Sequence, residues 1–215
     1  MKQTLLITTA LLLIVGFWGC EDEVDTEVTL WGVNYSIENT THLSLSNNQL
    51  TGSIPPEIGD LTNLTYLNLG GNQLTGLPPE IWNLTNLTYL RLGYNELTGS
   101  IPPEIGNLTN LTVLELNDNQ LSGSIPSEIG NLTNLTGLDL GGNELTGSIP
   151  PEIGNLTNLT WLRLDSNQLT GDVPESICNL NIHWSNINIT NNQLCPPYPS
   201  CVEDYVGDQD TTNCD

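Results

Sequence analysis

The chain has 215 residues, 25 of them acidic and 3 basic, for a formal net charge of −22. That length holds one domain or one repeat array, and a surface so acidic repels phosphate backbones and anionic headgroups, which excludes nucleic acid as a partner. Aromatic residues make up only 6% and Phe occurs once, so Leu rather than large rings must pack the core.

Residues 1–19 begin Met1-Lys2 and continue as an apolar run, Leu5 to Trp18, broken by Thr8, Thr9 and Gly16. The run is short for a membrane span and has the charged start and small-residue end of a signal peptide, so the chain is expected to be exported. Cys20 follows at once, with the acidic run Glu21-Asp22-Glu23-Val24-Asp25 behind it. This junction resembles the lipidated cysteine of bacterial lipoproteins, and the acidic stretch resembles the surface-export signal of the Bacteroidetes type. The resemblance implies lipidation at Cys20, against ordinary cleavage that leaves Cys20 free or removed, and an extracellular or outer-cell-surface location with the lipid as the sole membrane contact. Residues 20–38 are read as an acidic tether and N-terminal cap, in which Trp31 and Tyr35 cover the first repeat.

From Leu61 the chain reads Leu-Thr-Asn-Leu-Thr-Tyr-Leu-Asn-Leu-Gly-Gly-Asn-Gln-Leu-Thr-Gly-Leu-Pro-Pro-Glu-Ile-Trp-Asn to Asn83, and near-copies start at Leu84, Leu108, Leu132 and Leu156. A partial copy precedes them from Asn39 and a degenerate one follows from Leu180, giving about seven units with a period of about 24 residues. The Asn-x-Leu-x-Gly-x-Ile-Pro core resembles the plant-type leucine-rich repeat over residues 39–194. The expected fold is an α/β repeat solenoid, with a parallel sheet on the concave face and short helical or 3₁₀ turns on the convex face.

Leu67 and Leu69 stand two apart, so a strand turns both to one face and Tyr66, Asn68 and Gly70 to the other. Asn48, Asn72, Asn95, Asn119, Asn143, Asn167 and Asn192 fall where each strand ends. There they are expected to form a ladder that satisfies backbone groups out of reach of water. Gly76, Gly99, Gly123, Gly147 and Gly171 are assigned to the turn that follows, and Pro-Glu-Ile-Gly to a helical turn with Pro at its start and Gly at its end. The recurring Asn-Leu-Thr triplets match a glycosylation acceptor but arise from the repeat itself and are read as structural.

Past Leu180, Ile182, Trp184, Ile187 and Ile189 take the leucine positions, and residues 195–215 form the C-terminal cap. Cys178, Cys195, Cys201 and Cys214 make an even set suited to two disulfides; a metal site would need a closer Cys-x-x-Cys pair or a nearby His. Four cysteines allow three pairings and the residues do not choose among them. The resemblance to the capping loop of plant-type arrays implies Cys195 with Cys201, leaving Cys178 with Cys214.

No nucleophile, base or metal set recurs in the repeat, His42 and His183 lie far apart, and Asp204, Asp208 and Asp210 lack the spacing of a calcium loop. The reading is a non-enzyme without cofactor. Binding is best sought on the concave face, where two outward columns vary. One runs His42, Tyr66, Tyr89, Val113, Gly137, Trp161, Asn186; the next runs Ser44, Asn68, Arg91, Glu115, Asp139, Arg163, Asn188. Tyr, Trp and Arg are the usual anchors of interfaces. Tyr66, Tyr89, Arg91, Tyr94, Glu115, Asp139, Trp161 and Arg163 are therefore the candidate contacts of a monomer with a protein or glycan ligand. A secreted inhibitor of a foreign hydrolase and a structural surface-coat or adhesion protein are the competing classes.

Overall fold

The fold comes from a computed structural model that describes residues 26–214; the signal peptide and Cys20 lie outside the described residues. The described residues start with an antiparallel hairpin, Glu27–Leu30 against Val33–Ser36. Trp31 and Gly32 make its turn with φ of 48° and 80°, the two left-handed positions of a tight two-residue hairpin. Val28 and Leu30 are buried in the core, with Trp31 and Tyr35 packed on its edge.

Each repeat then runs strand, turn, flanking strand, 3₁₀ turn. The first strands, His42–Ser44, Tyr66–Asn68, Tyr89–Arg91, Val113–Glu115, Gly137–Asp139, Trp161–Arg163 and Ile187–Asn188, join into one seven-stranded parallel sheet. Its register sets Leu43, Leu67, Leu90, Leu114, Leu138, Leu162 and Ile187 side by side, each at most 5% exposed. A leucine so buried contributes on the order of 1.5–3 kcal/mol, and only the stack supplies the neighbours that bury it. The 3₁₀ turns, such as Pro103–Asn107 and Pro151–Asn155, start with Pro and carry Glu in the first turn.

The glycine of Pro-Glu-Ile-Gly does not end its turn through a left-handed backbone. It makes room: a Cβ on Gly106 or Gly130 would stand 2.8 or 2.6 Å from the Cβ of Glu128 or Glu152 in the next repeat. Gly99, Gly123, Gly147 and Gly171 lie within or at the flanking strands rather than in the turn before them, all with φ between 73° and 92°.

The Asn ladder has one geometry from Asn72 to Asn192. Asn119 donates from Nδ2 to Leu92 O at 3.1 Å and accepts Leu97 N–H on Oδ1 at 2.9 Å. Asn72, Asn95, Asn143, Asn167 and Asn192 bond the preceding repeat in the same way. Asn48 differs: it is exposed and donates to Ser46 O in its own turn. At the other end Gln209 takes the next rung, donating to Ile189 O at 2.9 Å and accepting Leu194 N–H at 3.3 Å.

The Asn-Leu-Thr triplets build two further ladders. Asn86, Asn110, Asn134 and Asn158 each donate to a backbone carbonyl about one repeat back. Thr88, Thr112, Thr136 and Thr160 do the same through their hydroxyls.

The cysteines form two disulfides, and the pairing is neither closed loop that the plant-type cap implied. Cys178 joins Cys201 and Cys195 joins Cys214. The reason is where the chain runs after the last strand. Cys178 sits on the last full 3₁₀ turn, Glu175–Asn179, with Cys201 opposite, while Gln209 in the ladder draws the tail back beside Cys195, which ends the strand Gln193–Cys195. Cys178–Cys201 thus staples the cap to the last full repeat, while Cys195–Cys214 ties the tail to the strand residue that opens the cap.

Candidate functional site

The pleat turns both variable columns to the hollow of the arc. In the first, the ring of His42 stacks on Tyr66 at 5.9 Å between centroids, and Tyr66 meets Tyr89 at 5.8 Å, tilted by 42°. Val113 is buried, and the Trp161 indole lies over Gly137, so close that a Cβ on that glycine would overlap the ring. Gly137 thus provides the space that lets Trp161 lie across the neighbouring strand.

In the second column Arg91 Cζ stands 5.9 Å from the Tyr89 centroid, and its Nε is 3.4 Å from Glu115 Oε1. Arg163 Nε faces Asp139 Oδ2 at 3.9 Å and Asp165 Oδ1 at 3.5 Å. Asp139 accepts the Gly141 N–H at 3.0 Å. Burial pushes its carboxyl above the ordinary 3.8, outweighing that hydrogen bond and the Arg163 charge.

The residue before each ladder Asn has a left-handed backbone. Gly71 and Gly142 adopt it freely, but Tyr94 does so at φ 58° while 66% exposed. A bulky side chain in that region is strained by on the order of 1 kcal/mol or more, and strained residues gather at functional sites.

Between the second column and these left-handed positions runs a third, which includes Gly70, Gly93, Asn117, Gly141 and Asp165. Its glycines leave a trench. One hollow of about 440 Å³ is lined by Asn68, Arg91, Tyr94 and Glu115 among others, and one of about 400 Å³ by Asp139, Trp161, Arg163, Ser185, Asn186 and Asn188. A smaller one of about 100 Å³, bordered by Tyr94, Asn117, Asp118, Asp139, Arg163 and Asp165, adjoins both.

The candidate residues therefore gather into two groups, Tyr66, Tyr89, Arg91, Tyr94 and Glu115 at one side and Asp139, Trp161 and Arg163 at the other, bridged by the small hollow. Asp118 and Asp165 were not among the residues singled out from sequence. Asp165 lies two positions beyond Arg163, so extending the alternation by one more column points to it.

A family model described as "Leucine-rich repeat region" matches residues 35–125, and one described as "Leucine rich repeat" matches residues 109–169. Among solved structures, the LRR ectodomain of the receptor kinase SOBIR1 from Arabidopsis thaliana is 36% identical, with a TM-score of 0.58 over 61% of this chain and 72% of that one. The chain belongs to the leucine-rich-repeat family. Two larger members are similar over more of it. The LRR ectodomain of the plant membrane receptor kinase GASSHO1/SCHENGEN3 from Arabidopsis thaliana, in complex with CASPARIAN STRIP INTEGRITY FACTOR 2, is 46% identical over 75% of this chain (TM-score 0.73). The plant peptide hormone receptor RGFR1, in complex with RGF2, is 45% identical over 73% (TM-score 0.69). This leucine-rich-repeat chain spans 20% and 25% of the lengths of those two. Among curated proteins nothing matches it.

Proposed function

We propose that this leucine-rich-repeat chain is an exported, monomeric recognition module that binds a protein or peptide through its concave face and catalyses no reaction. The observation that carries this is the trench flanked by Tyr89, Tyr94, Arg91, Trp161 and Arg163, because rings and guanidiniums held on a rigid sheet anchor a partner at low entropic cost. One similar ectodomain is described in complex with an integrity factor, and one similar protein as a peptide hormone receptor in complex with RGF2, which supports a peptide or protein over a glycan. Disulfides persist in oxidising compartments, in keeping with export, and Cys20 is the proposed lipid anchor.

Capture of peptides and of a glycan array by residues 21–215 tests the reading. Peptide or protein capture that falls when Tyr89 and Trp161 are both changed to Ala is the expected result; capture of glycans alone, or indifference to both changes, would sink it. For the anchor, the Cys20→Ser variant is expected to leave the membrane fraction, and an unchanged distribution would remove the lipid.

A further inference from the structure

The small hollow at the centre of the trench is negative, and its charges are not fully matched. Arg91 Nε faces Glu115 Oε1 at 3.4 Å without a hydrogen bond, and Arg163 is shared between Asp139 and Asp165. Asp139 is only 7% exposed; its Oδ2 accepts no hydrogen bond and meets Arg163 Nε at 3.9 Å. Asp165 Oδ1 is closed off from solvent and also accepts none. Asp139 Oδ2, held only by an ion pair at 3.9 Å, keeps an acceptor site that a donor from a ligand can fill. Asp118 borders the same hollow, whose volume of about 100 Å³ suits one ammonium or guanidinium head. An anionic ligand in this hollow would have to draw Arg163 away from Asp139 and Asp165.

We infer that the trench takes an extended cationic peptide, which seats a Lys or Arg side chain in the hollow bordered by Tyr94, Asp118, Asp139 and Asp165; this rests on the reading of the concave face as a peptide-binding surface. The trench crosses seven strands, about 29 Å at ~4.8 Å per step, which is the length of an extended segment of about eight or nine residues. The glycines of its floor let a backbone lie close to the sheet. A net charge of −22 draws cations from a distance and speeds their encounter.

The test uses fluorescent peptides of about eight residues, carrying lysines, glutamates or neither, titrated onto the chain at low and physiological salt. Lysine peptides are expected to bind and glutamate peptides not to. The double variant Asp139→Asn with Asp165→Asn is expected to weaken the lysine peptides about tenfold or more. Glu57→Gln with Glu104→Gln, which removes the same charge from the exposed outer turns, is expected to change binding less than about twofold. Equal losses in the two double variants would assign binding to the overall field and overturn the proposal. Neutral peptides binding as well as lysine peptides would also overturn it while leaving a peptide-binding face intact. Failure of every peptide to bind would overturn both. Melting curves identify any variant that fails to fold, and Asp165→Asn alone, beside the exposed Arg163, then carries the comparison.

Discussion

A single Asn in the ladder closes a backbone account that nothing else in the repeat can close. Asn119 bonds Leu92, Leu97, Leu116 and Asn117, so Asn119→Ala strands several groups that water does not reach. A loss of about 1–3 kcal/mol is expected, read as a shift of the denaturation midpoint; an unchanged midpoint would show the ladder to be dispensable. Tyr94 tests the opposite relation. Tyr94→Gly removes a left-handed strain of about 1–2 kcal/mol and adds about 0.5–1 kcal/mol of chain entropy to the unfolded state. The melting temperature should therefore hold or rise while ligand capture falls. Asp139 adds a pH signature. Its carboxyl is raised above 3.8 mainly by burial, so its stabilising share is complete below the unfolded value and is lost as pH rises through the folded one. Asp139→Asn should thus gain in melting temperature relative to the parent at neutral pH, and the gain should shrink below about pH 4. A gap that does not move with pH would mean that burial is not what acts on this carboxyl. None of the three effects shows in a composition. Each shows in a sequence once the repeat is in register, apart from the burial of Asp139, which depends on how the neighbouring turns pack around it.

At the level of the element, stacking distance decides which residues a turn can hold. Gly130→Ala would place a Cβ 2.6 Å from both the Cβ and the backbone O of Glu152. The two outer turns would have to separate at a cost of about 1–3 kcal/mol, measurable by chemical denaturation; no change would show that the turns can yield. One repeat departs from this rule. The unit from Leu61 has Trp82 in the glycine position and one residue fewer than its neighbours, with Gly76-Leu77-Pro78 where four others read Gly-Ser-Ile-Pro. The flanking sheet breaks there: Thr51–Ser53 pairs with Gln73–Gly76 through a register shift, and the five-stranded part begins afresh at Thr98–Ser100. The missing residue is plain in the alignment of repeats, but the interrupted sheet is not, because pairing depends on the height at which two chains meet. The concave sheet crosses the same point unbroken, with Tyr66 beside Tyr89 and Asn68 beside Arg91.

For the whole molecule, stability is a sum of repeats and the contacts between them, so the ends matter most. The hairpin at Glu27–Ser36 covers one end, and the tail stapled by Cys178–Cys201 and Cys195–Cys214 covers the other. Replacing Cys195 and Cys214 by Ser is expected to cost about 3 kcal/mol, by the loop-closure entropy of a cross-link spanning 19 residues. Gln209 should then leave its rung, and hydrogen exchange should rise first in the last repeat. Uniform exchange along the array would contradict a cap that acts locally. The repeat period, the inward leucines, the ladder from Asn72 to Asn192 and the two outward columns were all legible in the sequence. Each depends on neighbours at a constant spacing, and one repeat predicts the next. The tertiary structure alone decided the cysteine partners, the use of Gln209 as a rung, the Trp161 ring over Gly137 and the sharing of Arg163 between Asp139 and Asp165. These depend on where side chains of different turns, or of a tail with no repeat to copy, come to lie in space.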